Sequence, residues 1–196
     1  MISWNRLLNG KGTDGEAARL RAAQRGDHRA FDDLVRAHER PLRGFLARRA
    51  GPEAAEDVLQ ETLLAAWIAL PKFAGHAGFK AWLFGIALHK ATDAHRAQGR
   101  APTEPWSDVT EDALPAGRDE FADADVRHAV RDTLARLLPA QREVMELYYY
   151  AELTLPEIAE SLERNLNTVK YQFYRAHALA ADGLRDYDPA QGGQRR

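Results

Sequence analysis

Two long stretches of the chain carry apolar residues at helical spacing, and a stretch without such spacing separates them. In the first, Phe31, Leu34 and Val35 recur as the buried face of an amphipathic helix does. No run alternates like a strand, and helix-forming residues predominate, so we predict an all-α fold. The first stretch predicts helices over residues 16–25, 27–49 with a kink or break at Pro41, 53–70 and 79–98, and a loop over 71–78.

The second stretch predicts a smaller helical domain. Its two apolar stripes are made by Val130, Thr133, Leu134 and Leu137, and then by Val144, Leu147 and Tyr148. Thr154 and Glu157 have the spacing of a capping box, and Pro156 lies in the first turn, where a helix needs no amide donor. The last helix is predicted to begin after Asn165 and to run to about Tyr187.

Helical periodicity disappears between these stretches, where Pro102, Pro105 and Pro115 break helices. From Pro102 to Asp125, eight acidic residues stand against Arg118 alone. We therefore predict two helical domains that are joined by a flexible acidic linker. The predicted division is a tail over 1–17, a first domain over 18–98, the linker over 99–125, a second domain over 126–187 and a tail over 188–196.

The segment from Thr154 to Ala178 has the layout of a helix-turn-helix. In its second helix, apolar residues at i, i+4, i+7 and i+11 predict one buried face, made by Val169, Phe173, Ala176 and Ala180. The opposite face presents polar, basic and aromatic residues, namely Asn167, Thr168, Lys170, Tyr171, Tyr174 and Arg175. Because a helix fits the major groove, this basic stretch without acids predicts a DNA-reading helix. An ordinary helical hairpin with a solvated basic face is the alternative.

Composition narrows the classes of function. The 196 residues include no cysteine, which excludes thiolate metal sites, disulfides and cysteine nucleophiles. The seven histidines show no metal-binding spacing, so we expect no metal and no cofactor. The formal net charge is -2, so a nucleic-acid surface has to be local. No apolar run is long enough to cross a membrane and the N-terminus lacks a secretory core, which predicts a cytoplasmic protein.

Several motifs together resemble one family. The run from Leu138 to Leu147, then Glu157-Ile-Ala, Thr168-Val-Lys and Arg175-Ala, resembles region 4 of extracytoplasmic-function (ECF, group 4) bacterial sigma factors of the sigma-70 family. The run Ala55–Trp67 resembles region 2.2 of that family, and Phe79–Ala87 with Asp93 and Arg96 resembles regions 2.3 and 2.4. The resemblance implies a transcription initiation factor without catalytic residues, which gives core RNA polymerase its promoter specificity.

The resemblance also implies three binding surfaces. One is an acidic-rimmed face that docks on the β′ clamp helices of the polymerase, made by Asp57, Gln60, Glu61 and Leu64. A -10 surface would hold single-stranded promoter DNA with Lys72, Phe73, His76, Lys80, His89, Lys90 and Arg96. The -35 surface is the outer face of the last helix. The β flap of the polymerase and an anti-sigma protein are the further partners, and a merely solvated acidic face is the alternative for the first surface.

The chain departs from the family at several positions. Glu163 stands in the turn where the family usually has Gly, which tolerates a positive φ more readily. Arg164 replaces an apolar residue, whose contact Leu166 could supply. Tyr171 stands where Ser is common, His89 where Asn is usual, and Gly85 and Leu88 where Arg is frequent. These departures preserve the fold and point to an unusual promoter sequence or weaker intrinsic recognition.

Three other classes of protein compete with this interpretation. An enzyme is disfavoured, because Gly10–Thr13 lacks the spacing and strand of a phosphate loop and no catalytic triad motif occurs. A two-domain DNA-binding regulator would not need the Asp57–Leu64 face. A helical interaction protein would not need the basic stretch from Arg164 to His177.

Overall fold

The protein is helical throughout the part of the chain that the computed structural model describes, which is residues 14–75, 78–97 and 136–183. No strand occurs in these ranges, so the predicted all-α class is confirmed. The helices are α1 (Asp14–Gln24), α2 (His28–Arg36), α3 (Glu39–Ala50), α4 (Ala55–Ala69), α5 (Phe79–Ala97), α6 (Pro139–Tyr149), α7 (Leu155–Ser161) and α8 (Leu166–Gly183). The predicted linker, the predicted C-terminal tail, residues 1–13 of the predicted N-terminal tail and the first apolar stripe except Leu137 lie outside the described residues. The predicted N-terminal tail is too long, because α1 already begins at Asp14.

Local sequence signals explain where the first helices begin and end. Gly26 has a φ of +95°, and the Asp27 side chain accepts hydrogen bonds from the amides of Arg29 and Ala30 at 3.0 and 3.2 Å. Asp27 therefore caps α2. The predicted break near Pro41 lies a few residues earlier, between α2 and α3. Pro41 occupies the first turn of α3, where its missing N–H breaks no helical hydrogen bond.

The first five helices enclose an aromatic core. Phe45 from α3 and Phe84 from α5 are almost fully buried, with ring centroids 5.5 Å apart in an edge-to-face arrangement. Phe79 is equally buried beside Phe31. Burying each such side chain stabilises the fold by about 1.5–3 kcal/mol. This core fixes the outer faces of α4 and α5, which carry the predicted site residues.

The last three helices form a second core around Val144, Leu147, Ile158, Val169 and Ala176, all of which are fully buried. The helix-turn-helix is formed by α7 and α8, and α6 packs against both. The predicted capping box is confirmed. Its side-chain and amide hydrogen bonds join Thr154 and Glu157, with Pro156 in the first turn.

The two helical groups pack against each other, which the sequence did not predict. Helix α7 of the second group lies on α5 of the first. Ion pairs connect α3 to α6, where Arg49 lies 2.7 Å from Glu146 and 3.5 Å from Glu143. Two of the α6 residues covered in this way are charged, namely Arg142 and Glu146. Charged side chains therefore contribute to the contact between the two domains.

Candidate functional site

The outer face of α8 is open to solvent along its first three turns. Val169, Phe173 and Ala176 point into the core as predicted, and Ala180 is half-buried. The six predicted -35 residues are all exposed, namely Asn167, Thr168, Lys170, Tyr171, Tyr174 and Arg175. Tyr171 and Tyr174 are 69% and 63% exposed, which is unusual for aromatic rings. A row of protruding aromatic and cationic groups fits a nucleic-acid groove.

The turn before α8 combines two of the departures from the family. Glu163 adopts a φ of +51°, the conformation for which a glycine is better suited. The Arg164 guanidinium lies 2.6 Å from a Glu143 carboxylate oxygen, so its charge is neutralised inside the domain. Leu166 packs partly against the core, as the sequence analysis suggested. Of the three basic residues in this stretch, Lys170 and Arg175 remain exposed on the α8 face.

The side chain of Asn165 caps the start of α8. The Asn165 side chain accepts a hydrogen bond from the Asn167 amide at 2.8 Å, which agrees with its predicted capping role. The remaining amides of the first turn give the helix a partial positive charge at this end. Lys170 follows about one turn after this positive end and is exposed.

Helix α4 divides into the two faces that its periodicity predicted. Val58, Leu59, Thr62 and Ala66 are buried, and Leu63 is half-buried. The predicted polymerase-docking residues Asp57, Gln60, Glu61 and Leu64 are all exposed. Leu64 is 60% exposed, and Ile68, one turn further, is 68% exposed. The sequence analysis did not select Ile68, although its position four residues after Leu64 places it on the same face.

The predicted -10 residues are spread over a loop and one helix. Phe73 is half-buried and stacks on Trp82 with ring centroids 4.7 Å apart, so its ring lies flat against α5. Its carbonyl accepts a hydrogen bond from Gln24 Nε2 at 2.8 Å, which anchors the start of the loop to α1. Lys72 is exposed beside it. His76 lies outside the described residues.

The remaining -10 candidates on α5 do not form a single cluster. His89 and Arg96 are exposed, and Arg96 lies 3.6 Å from Asp93. Lys90 Nζ lies 3.3 Å from a Glu61 oxygen, which connects α5 to the predicted polymerase face. Lys80 Nζ donates a hydrogen bond of 3.5 Å to the Glu152 carbonyl of the second domain. Lys80 therefore lies at the contact between the domains, away from Arg96 at the other end of α5.

The described residues contain neither a candidate metal site nor a candidate membrane span. Within them, no group of three or more His, Asp or Glu side chains could hold a metal ion. None of their helices is both long and apolar enough to cross a bilayer.

Comparison with known proteins matches both halves of the chain to one family. Residues 34–101 match Sigma-70 region 2, and residues 127–178 match Sigma-70, region 4. The RNA polymerase sigma-H factor of Pseudomonas aeruginosa is 33% identical over 83% of this chain and 90% of its own. The ECF RNA polymerase sigma-E factor of Haemophilus influenzae is 27% identical over 87% of this chain and 95% of its own.

A solved structure has the same architecture. CnrH, in complex with the cytosolic domain of CnrY, aligns with a TM-score of 0.66 and 28% identity over 89% of this chain and 100% of its own. The fold and its exposed helix-turn-helix thus define a DNA-binding transcription factor of two helical domains. The chain belongs to the sigma-70 family, in its ECF group, and directs promoter-specific initiation by RNA polymerase.

Proposed function

We propose that the two domains of the chain bind different partners. Residues 18–98 form region 2, which binds core polymerase and the -10 element, and residues 126–187 form region 4, which reads the -35 element. Residues 99–125 link them, with tails over 1–17 and 188–196. The observation that supports this proposal best is that α4 and α8 each bury one face in a well-packed core and leave a polar outer face exposed.

In this proposal the outer face of α4 docks on the β′ clamp helices. Leu64 and Ile68 supply the apolar centre of the contact, and Asp57 and Glu61 supply its acidic rim. An apolar centre within a charged rim is the usual anatomy of a protein interface. The acidic rim selects a basic partner and accelerates its association. Region 4 contacts the β flap.

Region 4 reads the -35 element with the outer face of α8. Lys170 and Arg175 contact phosphates or guanine edges, and the exposed rings of Tyr171 and Tyr174 contact bases and thymine methyl groups. Tyr171 stands where relatives commonly have a small Ser, so it changes the preferred base in its part of the groove. The amides at the start of α8 bind a phosphate.

Region 2 opens and holds the -10 element. Bases that leave the duplex need aromatic or apolar surfaces and cations for their phosphates. The Phe73–Trp82 stack beside exposed Lys72 offers such a surface. His76, Lys80, His89, Lys90 and Arg96 are the further candidates.

Removal of the Arg175 guanidinium tests the -35 assignment. We expect Arg175→Ala to weaken promoter binding by the holoenzyme at least tenfold, since one good base contact contributes about 1–3 kcal/mol. Arg36→Ala removes another exposed arginine, in α2 and outside every proposed surface, and serves as the matched control. A footprint on the -35 element that Arg175→Ala leaves unchanged would exclude this role of α8.

Truncation of Leu64 tests the polymerase assignment. Because Leu64 is already exposed, Leu64→Ala should leave the thermal stability of the free chain unchanged. We expect it to weaken binding to core polymerase about fivefold, which corresponds to about 1 kcal/mol. Leu64→Met keeps an apolar group of similar size and should retain most of the affinity. Run-off transcription with increasing core polymerase measures both variants, and equal activity of all three proteins contradicts the assignment.

We also propose that the chain acts in the cytoplasm and binds an anti-sigma protein. A factor that needs polymerase and promoter DNA works in the cytoplasm. The structurally similar CnrH is bound to the cytosolic domain of CnrY. By analogy, we propose that an anti-sigma protein binds this chain.

A further inference from the structure

A tyrosine and a histidine form a pair at the border between α6 and α8, beside the face proposed to read the -35 element. The Tyr149 hydroxyl lies 2.9 Å from Nε2 of His177, which is hydrogen-bond distance. Tyr149 is the last residue of α6 and is 49% exposed, whereas His177 is half-buried. Neither side chain belongs to the three proposed binding surfaces. A phenolic hydroxyl both donates and accepts, so Tyr149 can bind a second group from solution.

The register of α8 places this pair at one side of the outer face. A helix turns by about 100° per residue, so Lys170 and His177, seven residues apart, point within about 20° of each other. Lys170 is exposed and belongs to the proposed DNA face. Helix α6 packs against α8 and brings Tyr149 to His177. The pair therefore continues the Lys170 side of that face onto the end of α6.

A helix that fills the major groove brings its two sides close to the DNA backbone. The groove is about 12 Å wide, and an α-helix with its side chains is about 10–12 Å across. Groups in the middle of the outer face reach base edges, whereas groups at its sides meet phosphates. Because Tyr149 and His177 lie at a side of the α8 face, we expect them to meet the backbone.

Aromatic packing holds the pair in one position. The His177 ring lies against Phe173 with centroids 4.4 Å apart, and against Tyr149 with centroids 5.8 Å apart. Phe173 also packs against Tyr174, one of the proposed base-reading residues, at 5.6 Å. Side chains that are already fixed lose little further freedom on binding, so less affinity is lost to ordering them. The pair and Tyr174 therefore share one buried support.

The direction of the hydrogen bond determines whether the Tyr149 hydroxyl can bind a phosphate. Burial lowers the pKa of His177, so its ring is neutral at neutral pH and carries a single N–H. If that hydrogen is on Nε2, it is donated to the Tyr149 oxygen and the phenolic O–H remains free. If Nε2 carries no hydrogen, it accepts the phenolic O–H instead. A phosphodiester oxygen only accepts hydrogen bonds, so it selects the first arrangement.

We propose that Tyr149 and His177 form a phosphate-binding pair for the promoter backbone beside the -35 element. The Tyr149 hydroxyl donates to a phosphate oxygen, and His177 is a positioning residue that donates to the Tyr149 oxygen. Phosphate contacts fix the register of a protein on the duplex and carry no sequence information. The pair therefore strengthens binding to every -35 sequence alike. The inference rests on the proposed -35 role of α8 and adds the end of α6 to that surface.

Removal of the Tyr149 hydroxyl alone tests the contact. We expect Tyr149→Phe to weaken promoter binding by the holoenzyme about threefold to tenfold, the usual effect of one hydrogen bond. The loss should be equal for the preferred -35 sequence and for single-base variants of it, whereas Arg175→Ala should reduce discrimination between them. Tyr148→Phe is the matched control, because it removes a hydroxyl from the neighbouring residue, whose half-buried ring packs on Phe173.

Neutral backbone analogues identify the group that Tyr149 binds. Duplexes that carry one methylphosphonate at a time along the -35 element replace one charged phosphate oxygen by a methyl group. We expect a position at which this change weakens binding of the unaltered chain and of Tyr148→Phe, but has no further effect on Tyr149→Phe. Additive losses at every position would refute the phosphate contact, because additivity means that Tyr149 and the phosphates do not interact.

Two replacements of His177 separate positioning from packing. His177→Gln keeps an N–H donor and should retain most of the affinity, whereas His177→Leu keeps apolar bulk without a donor and should match Tyr149→Phe. The double variant of His177→Leu and Tyr149→Phe should bind no more weakly than either single variant. Circular dichroism and thermal unfolding show whether each variant is folded. Unchanged affinity of folded His177→Leu would overturn the positioning role.

The same measurements distinguish failure of this pair from failure of the -35 assignment. If the pair binds no phosphate, Tyr149→Phe binds like Tyr148→Phe while Arg175→Ala still weakens binding and discrimination. If α8 does not read the -35 element, Arg175→Ala leaves both unchanged. That result would overturn the pair together with the surface to which it belongs.

Discussion

Glu163 has a backbone conformation that glutamate rarely adopts, and the hydrogen bonds around it explain why. The amide of Arg164 donates to the Ala159 carbonyl at 2.8 Å, and that of Glu163 donates to the Glu160 carbonyl at 3.1 Å. This pair of bonds ends α7 as a Schellman motif, which requires a left-handed residue at the position of Glu163. The turn of the helix-turn-helix therefore keeps the family geometry with a less suitable residue.

Replacement of Glu163 by glycine should relieve this strain. We expect Glu163→Gly to raise the free energy of unfolding by about 0.5–1 kcal/mol, since glycine adopts a φ of +51° without steric cost. Glu160→Gly, three residues earlier on the exposed side of α7, should lower it by about 1 kcal/mol. Urea denaturation of the full chain measures both. Destabilisation by Glu163→Gly would show that its side chain contributes more than its backbone costs.

Periodicity and end signals made most of the individual helices predictable. The capping residues Asp27 and Thr154 mark helix starts because a side-chain oxygen accepts hydrogen bonds from the free amides of the first turn. The two faces of α4 and α8 followed from i, i+3 and i+4 spacing. The orientation of Phe73 did not follow, because its stack on Trp82 depends on how the loop returns to α5.

The contribution of the capping box to the stability of helix α7 can be tested by mutation. Thr154→Ala removes the hydroxyl that lies 2.7 Å from Glu157 Oε2 and 3.4 Å from the Glu157 amide. We expect a loss of about 1 kcal/mol in the free energy of unfolding, whereas Thr154→Ser should lose much less. Thermal unfolding of the unaltered chain, Thr154→Ala and Thr154→Ser at equal concentration measures these differences. Equal stability of Thr154→Ala would indicate that tertiary packing alone holds α7.

The packing of the two domains was not predictable from the sequence. Arg49 and Glu146 have the charges of solvent-facing positions, but they form an ion pair between α3 and α6 in which both are largely buried. The residues proposed for the -35 and polymerase surfaces are exposed, as their spacing predicted, because the exposure of each set depends mainly on its own helix. The -10 candidates were harder to select, because Lys80 and Lys90 contact other parts of the protein.

The contact between the two domains should affect the titration of Tyr150. Burial raises the pKa of Tyr150 to about 12 although the nearby Arg48 guanidinium lowers it, and exposure to water would return it toward 10. The closed form is therefore favoured below pH 10 and loses this stabilisation as pH rises toward 12. Gly85→Ala should separate the domains, because its added Cβ would lie 2.9 Å from the Ser161 carbonyl oxygen of α7. In an ultraviolet titration of tyrosinate, a late component should be present in the unaltered chain and absent from Gly85→Ala and from Tyr150→Phe. Identical curves for Gly85→Ala and the unaltered chain would contradict closure.

The crossing of α5 and α7 limits how freely the halves of this protein can be exchanged with those of relatives. A chimera that keeps α5 but takes its helix-turn-helix from another sigma factor inherits a different side chain opposite Gly85. A Cβ on Gly85 would already lie 2.9 Å from Ser161, so a larger residue at either position requires the two helices to move apart. An exchanged helix-turn-helix should therefore be tested together with the α5 of its own source protein.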